Sequence, residues 1–341
     1  MDRSLEINAE GLAQPEIHRA GLLTFTHLNI RNIGRLNKKP FTGIFCREDT
    51  FPAARSSVAF TKDTPPAPLE AWKPIDIYKL SPTRRRLKLS LGKRIGEGGT
   101  ATVYSATVQS SSNFDLPKTV CVKVAKSSRN RSLAREAWYY EQLSREENCE
   151  GIATPRCFGF FAMCGVDPPE AVSGTTFRPW QRIEYGDEED ILRDDYLHPG
   201  DSYLRDEHGL TAKSMWHGFK QGESVIICVL VLEELGAPYP SPLIDDDALR
   251  DIREILTDLA HVGIVHDDAR FNNVLRPLIT NSNTLCSRHK KIHNWRLIDF
   301  DRARRFLISE SNPSELSSCF EEQFLDFDRG QNSYFMRGIP S

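Results

Sequence analysis

Val225 to Leu232 reads VIICVLVL, an unbroken run of eight apolar residues. A helix that spans a bilayer needs about 20 such residues, so this run is too short to cross a membrane. It has the length of a buried strand. The chain must therefore build a sheet with enough covering structure to keep that strand dry. With 341 residues, 39% apolar and 27% charged, it has the material of an ordinary globular protein, in one large domain or two modest ones. The formal net charge of -3 offers no electrostatic footprint for nucleic acid or an anionic membrane, so neither is expected as a partner. The opening residues, MDRSLEINAE, lack a basic segment followed by an apolar core. An intracellular, cytoplasmic protein without a signal peptide or transmembrane segment is expected. The eight cysteines are scattered, with no Cys-x-x-Cys pair. They read as free thiols in a reducing compartment, and their spacing supports neither a disulfide framework nor a zinc site.

Residues 1–80 carry the proline-rich TKDTPPAPLEAWKPIDIY and no sustained period, so they read as a poorly organised arm. Arg84 to Arg86 then read as a solvated flank, with a phosphate or targeting patch as the alternative. Leu87, Leu89 and Leu91 alternate with polar residues at the period of a half-buried strand. TATVYSATV, KTVCVKVAK, TPRCFGFFAM and VIICVLVLEE give four further strand candidates. SLAREAWYYEQLS places Leu133, Ala137, Tyr140 and Leu143 at helical intervals. A second helix is expected over DDDALRDIREILTDLAH, with Leu249, Ile252, Leu256 and Leu259 on one face and Gly263 placed to end it. Residues of about 165–222 form an acidic insertion. Its carboxylates do not match a calcium loop, and it reads as a solvated loop.

Gly96, Gly98 and Gly99 lie between two strand candidates in RIGEGGTATVY. Backbone N–H groups can approach a phosphate closely where no side chain intervenes. A glycine-rich hairpin turn produces the same pattern. No Gly-Lys-Ser/Thr follows, and a strand rather than a helix comes next, which excludes Walker and dinucleotide-binding loops. Lys123 sits between Val122 and Val124, so it faces away from them, and Glu136 follows thirteen residues later in the first helix. A Glu–Lys pair would fix the ammonium for phosphate oxygens. The alternative is an exposed lysine on an edge strand. HDDARFNNVL, His266 to Leu275, offers Asp268 as a carboxylate for a substrate hydroxyl and Asn273 as an amide oxygen for a metal. Asp299 follows the apolar Leu297-Ile298, and its hard oxygen suits Mg²⁺.

In order and spacing, GEGGTATVY, Lys123, Glu136, HDDARFNNVL and IDFD resemble the protein-kinase superfamily, of an atypical, fungal type. The resemblance runs from about Leu87 to Arg305. It implies an α+β, bilobal fold: an N-lobe of a five-stranded antiparallel sheet and one helix over residues 81–235, then a reduced, mainly helical C-lobe over 236–341. It implies that Gly96, Gly98 and Gly99 cover the phosphates of ATP and that Val103 roofs the adenine. Lys123, paired with Glu136, would hold the α- and β-phosphates. Glu233 to Leu235 would meet the adenine edge, Asp268 would serve the acceptor hydroxyl, Arg270 would neutralise the γ-phosphate, and Asn273 and Asp299 would bind Mg²⁺.

The departures are specific. Ala101 replaces the third glycine of the loop, Asp267 stands where the family has arginine, and Asp301 stands where it has the glycine of Asp-Phe-Gly. No Ala-Pro-Glu segment is present, and PSELSSCFEEQFLDFD offers one closing helix. The expected activity is transfer of the γ-phosphate of Mg-ATP to a hydroxyl, of the protein serine/threonine type, on an unknown acceptor. A small-molecule kinase of the aminoglycoside or choline type and a pseudokinase binding module are the alternatives.

Overall fold

The structure is a computed structural model. It describes residues 25–36, 38–48, 50, 86–110, 116–126, 129–163, 175–177, 227–240, 246–278, 284–305 and 321. The sequence expectations for the proline-rich stretch, for nearly all of the acidic insertion and for the closing helix fall outside these residues.

The alternation of apolar residues along Arg86–Glu97 and the β-branched runs that follow do form strands. Strands β1 (His27–Leu36), β2 (Lys39–Arg47), β3 (Arg86–Glu97), β4 (Ala101–Ser110) and β5 (Thr119–Ala125) precede helix α1 (Asn130–Leu143). After it come β6 (Cys157–Met163), β7 (Thr175–Phe177), β8 (Ile227–Glu233) and β9 (Leu235–Pro238). Helix α2 (Asp246–His261) leads into four short strands, β10 (Ile264–Val265), β11 (Val274–Pro277), β12 (Arg296–Leu297) and β13 (Arg304–Arg305).

The strands run in the order β2-β6-β8-β5-β4-β3-β1, and β1 pairs back onto β2, so seven strands close into a barrel. β7 adds to the outside of β1. The β1–β3 pair is parallel and the other pairs of the ring are antiparallel. Closure removes the free edges that an open sheet would leave at β3 and β6.

This overturns the two-lobed, protein-kinase-like architecture expected from the resemblance. The five expected strands belong to a closed seven-strand barrel, and only two α-helices occur among the described residues. The physical reason lies in residues 27–47, which were expected to be poorly organised. β1 and β2 bring Leu28, Ile30, Ile33 and Phe45 into the barrel interior. Their alternation is interrupted by a register shift between Arg31 and Gly34, where Asn32 takes a φ of 63°, which hides the strand period. β9, just before α2, joins β11 and β12 from beyond it in a small sheet, and β10 pairs with β13, where a mainly helical lobe was expected.

Period-2 alternation divides the barrel strands between two cores. Leu87, Leu89, Leu91, Val120, Val122, Val124, Val229 and Val231 fill the interior. Phe160, Cys228, Leu230 and Leu232 point outward against α1 and α2. This double burial explains the continuous apolar run of β8. Helix α1 is buried along its whole length. In α2, Ile252, Ile255, Leu256 and Leu259 face the core, and Gly263 ends the helix at φ 70°, its N–H donating to Ala260 O at 2.9 Å. Among the described residues no helix is long and apolar enough to cross a membrane.

Candidate functional site

Lys123 lies on β5 opposite Val103 of β4 and Leu230 of β8. Its neighbours Val122 and Val124 point into the barrel, so pleating turns Lys123 outward, toward α1. There its ammonium donates to Glu136 Oε2 at 2.5 Å and to Asp299 Oδ1 at 2.5 Å. Lys123 is therefore a buried charge held by two carboxylates, not an exposed edge-strand lysine.

Asp299 follows β12 in a left-handed backbone, φ 71° and ψ 65°. It opens a short 3₁₀ turn, Phe300–Arg302, that is pinned to α1. Phe300 is fully buried and packs against Tyr139 and Tyr140, and the Tyr139 hydroxyl donates to Ala303 O at 2.5 Å. The helix that supplies Glu136 thus also positions Asp299.

The second carboxylate loop is organised by His266. Its ring meets Phe300 edge-on, its Nε2–H donates to Ile298 O at 2.8 Å, and its Nδ1 accepts from the Asp268 N–H at 3.3 Å. Asp267, beside it, adopts a φ of 56°. Asp268 is held through its side chain as well. Arg270 Nε pairs with Oδ1, and Asn273 Nδ2 donates to Oδ2 at 3.2 Å and to the Asp268 carbonyl at 2.8 Å. With Asn273 Nδ2 so committed, its amide oxygen is turned the other way. Two non-glycine residues with left-handed backbone in the two carboxylate loops are the kind of strain that concentrates at working sites.

Every residue named from the sequence lines one cleft of about 1030 Å³: Gly96, Gly98, Gly99, Val103, Lys123, Glu136, Glu233, Leu235, Asp268, Arg270, Asn273 and Asp299. Gly98 donates its N–H to Ala101 O at 2.9 Å inside the β3–β4 turn. A Cβ at Gly98 or Gly99 would meet nothing within 4 Å, and neither has a left-handed φ. The fold itself therefore does not demand glycine there, whereas a ligand lying against the turn would. Glu233 is buried, and its backbone N–H and carboxylate both latch onto Arg156, by 2.8 and 3.1 Å bonds. Its side chain therefore fixes the rim of the cleft in place.

In the sequence, Asp301 stands out only as the replacement of a glycine. The Thr100 hydroxyl donates to Asp301 Oδ2 at 2.6 Å, tying the glycine turn to the opposite wall of the cleft. His266 and Tyr140 were also missed. A polar residue just after the two-residue strand Ile264–Val265 was the available signal for His266.

Several carboxylates compete for Lys123. Glu136, Asp299 and Asp301 all act on the one Lys123 ammonium. Burial works against the Lys123 charge, but Asp299 and Glu136 more than compensate and hold it well above the ordinary lysine range. Burial pushes Glu136 up to about 8, although Lys123 opposes this. Asp299 goes the other way: burial acts to raise it, and Lys123 brings it below the usual carboxylate range. Asp301 is raised, by burial and then by Asp299. A cation bound beside Asp299 and Asp301 would offset the repulsion between these two carboxylates.

No family model matches this chain, and no curated protein matches it.

Proposed function

We propose that the cleft binds a magnesium–nucleoside triphosphate and transfers its γ-phosphoryl group to a hydroxyl, on a protein or small-molecule acceptor. The observation that carries this reading is the Lys123 ammonium shared at 2.5 Å between Glu136 on α1 and Asp299 on the opposite loop. That arrangement presents a fixed cation and a hard carboxylate oxygen to the same space. Asp299 and the Asn273 amide oxygen suit Mg²⁺, which prefers few protein oxygens together with substrate phosphates. When bound, Mg²⁺ would neutralise phosphate charge and align the transferring group.

The chain's own groups supply the rest. Lys123 meets phosphate oxygens while Glu136 keeps it oriented. The side-chain-free surface at Gly98 and Gly99 lets backbone lie close to the triphosphate. Asp268, oriented by Asn273 and by the His266 ring, accepts the acceptor's proton, which is worth about 10²–10⁴-fold in rate. Arg270 stands beside Asp268, where a guanidinium stabilises charge on the transferring group. Positioning and electrostatics carry most of such a reaction.

A second reading, nucleotide binding without transfer, is favoured by one observation. Both Asp268 carboxylate oxygens are engaged, by Arg270 and by Asn273. One experiment separates the two. Mg-ATP should raise the melting temperature, since ligand at about 100 times Kd adds ~2.7 kcal/mol. A γ-phosphate transfer assay should show turnover that Asp268→Asn abolishes and Asp299→Ala removes together with metal-dependent binding. A thermal shift without any transfer selects the second reading. No shift at saturating Mg-ATP overturns both.

A further inference from the structure

Away from the cleft, α2 carries two buried carboxylates on its packed side, Asp251 and Asp258, two helical turns apart. Opposite Asp258 the chain brings up Cys286, His289 and His293. The Cys286 Sγ lies 3.4 Å from Asp258 Oδ2 and 3.4 Å from His289 Nδ1. His289 Nδ1 is 3.4 Å and His293 Nε2 is 3.6 Å from the same Asp258 oxygen. All four ligand atoms lie within 4.8 Å of one another. In a tetrahedral zinc site, with bonds of about 2.0–2.3 Å, neighbouring ligand atoms are about 3.3–3.6 Å apart. Four of the six edges here, at 3.4–3.6 Å, have that length.

The surroundings orient each donor. Cys286 and Lys291 close a tight turn, with the Cys286 N–H donating to Lys291 O at 2.8 Å and the Lys290 N–H to Cys286 O at 2.9 Å. Inside it the His289 N–H donates to the Cys286 sulfur at 3.4 Å. Arg288 Nε holds Asp258 Oδ1 at 2.9 Å, which leaves Oδ2 for the centre. Asp251 accepts from His293 Nδ1 at 2.6 Å, from the Asn294 N–H at 2.7 Å and from Lys291 Nζ at 2.8 Å. A carboxylate on the far nitrogen of a ligating histidine fixes its tautomer and aims the other nitrogen at the metal. His293 Nε2 is buried and makes no hydrogen bond. It faces Asp258 Oδ2 at 3.6 Å, longer than a hydrogen bond and close to the length of a ligand–ligand edge.

We propose that Asp258, Cys286, His289 and His293 form a zinc site that clamps the 286–293 turn onto α2. One thiolate and two imidazoles select a borderline-soft ion over Mg²⁺ or Ca²⁺. Four protein ligands complete the shell, so the site is structural, with no position open for substrate. Binding replaces the Cys286 thiol proton with the metal. The sequence pattern is Cys-x2-His-x3-His with an aspartate contributed by a distant helix, so a search for paired cysteines passes over it.

The test is a Co²⁺ titration of the full chain after chelator treatment, with circular dichroism confirming that it is folded. One equivalent should give the intense visible bands of tetrahedral cobalt and a near-ultraviolet thiolate-to-cobalt band, both bleached by Zn²⁺. Cys286→Ser should lose the charge-transfer band, and Cys46→Ser should keep it. A folded wild-type chain that shows no tetrahedral spectrum overturns the proposal, even where Cys286→Ser fails to fold. An unchanged spectrum in a folded Cys286→Ser variant overturns it as well. Neither result bears on nucleotide binding in the cleft.

Discussion

Lys123 and Asp299 are 176 residues apart in the chain and 2.5 Å apart in space. The contact joins the barrel to the loop after β12 and puts the site's cation against its strained carboxylate. Lys123→Met should therefore abolish the Mg-ATP thermal shift. It should also lower stability, because it leaves the ionised Asp299 and the buried Glu136 without their shared partner. Adding Glu136→Leu should restore much of the stability and none of the nucleotide binding. Calorimetric melts with and without Mg-ATP measure both, and a nucleotide shift that survives in Lys123→Met would remove this residue from the site.

Glu136 sets a pH dependence in the nucleotide-free protein. Burial raises it to about 8, so in the folded state it keeps a proton that the unfolded chain has already released. Its contribution to stability is present at acid pH and declines as pH rises from the ordinary glutamate range toward about 8. Glu136→Gln should flatten that part of the profile. Denaturant unfolding of both proteins across the range tests this, and parallel profiles would refute it.

The Thr100–Asp301 bond crosses the cleft and positions the glycine turn. Thr100→Val should change global stability by only about 0.5–1.5 kcal/mol. Its effect should instead fall on nucleotide affinity, which Thr100→Ser should largely retain. Isothermal titration of the two variants decides, and equal affinities would mean that the bond is not part of the binding surface.

Barrel closure depends on β1 and β2. Removing residues 1–50 would free the edges of β3 and β6 and uncover Leu87, Leu89 and Leu91. The truncated chain should lose cooperative unfolding and aggregate. Ile30→Ala, which leaves a cavity at a fully buried position, should cost about 2–5 kcal/mol. A truncated protein with an unaltered melting transition would show that closure contributes nothing.

Cys121 lines the cleft yet should be unreactive. Burial pushes its thiol up to about 12, opposed by Lys123, so little thiolate exists at neutral pH. Cys46 is exposed. Iodoacetamide labelling followed by peptide mapping should modify Cys46 well before Cys121, and the reverse order would contradict the assigned surroundings of Cys121.

Local order was legible in the sequence because it depends on near neighbours. The alternation of Leu87, Leu89 and Leu91, the run of β8 and the helical spacing of Leu133, Ala137 and Tyr140 all specify elements through side-chain periodicity alone. The polar residues that interrupt apolar strands, Lys123 and Asp299 among them, were visible for the same reason, since a buried polar group needs a partner. The partners themselves were decided by the fold. Nothing in a bulged β1 announces that it will pair with both β2 and β3, so the expected open, two-lobed architecture gave way to a closed barrel. The Thr100–Asp301 bond and the cluster of Asp258 with Cys286, His289 and His293 likewise join distant segments. Sequence periodicity carries only information about which face a residue occupies, and long-range pairing depends on which faces the whole chain leaves to be covered.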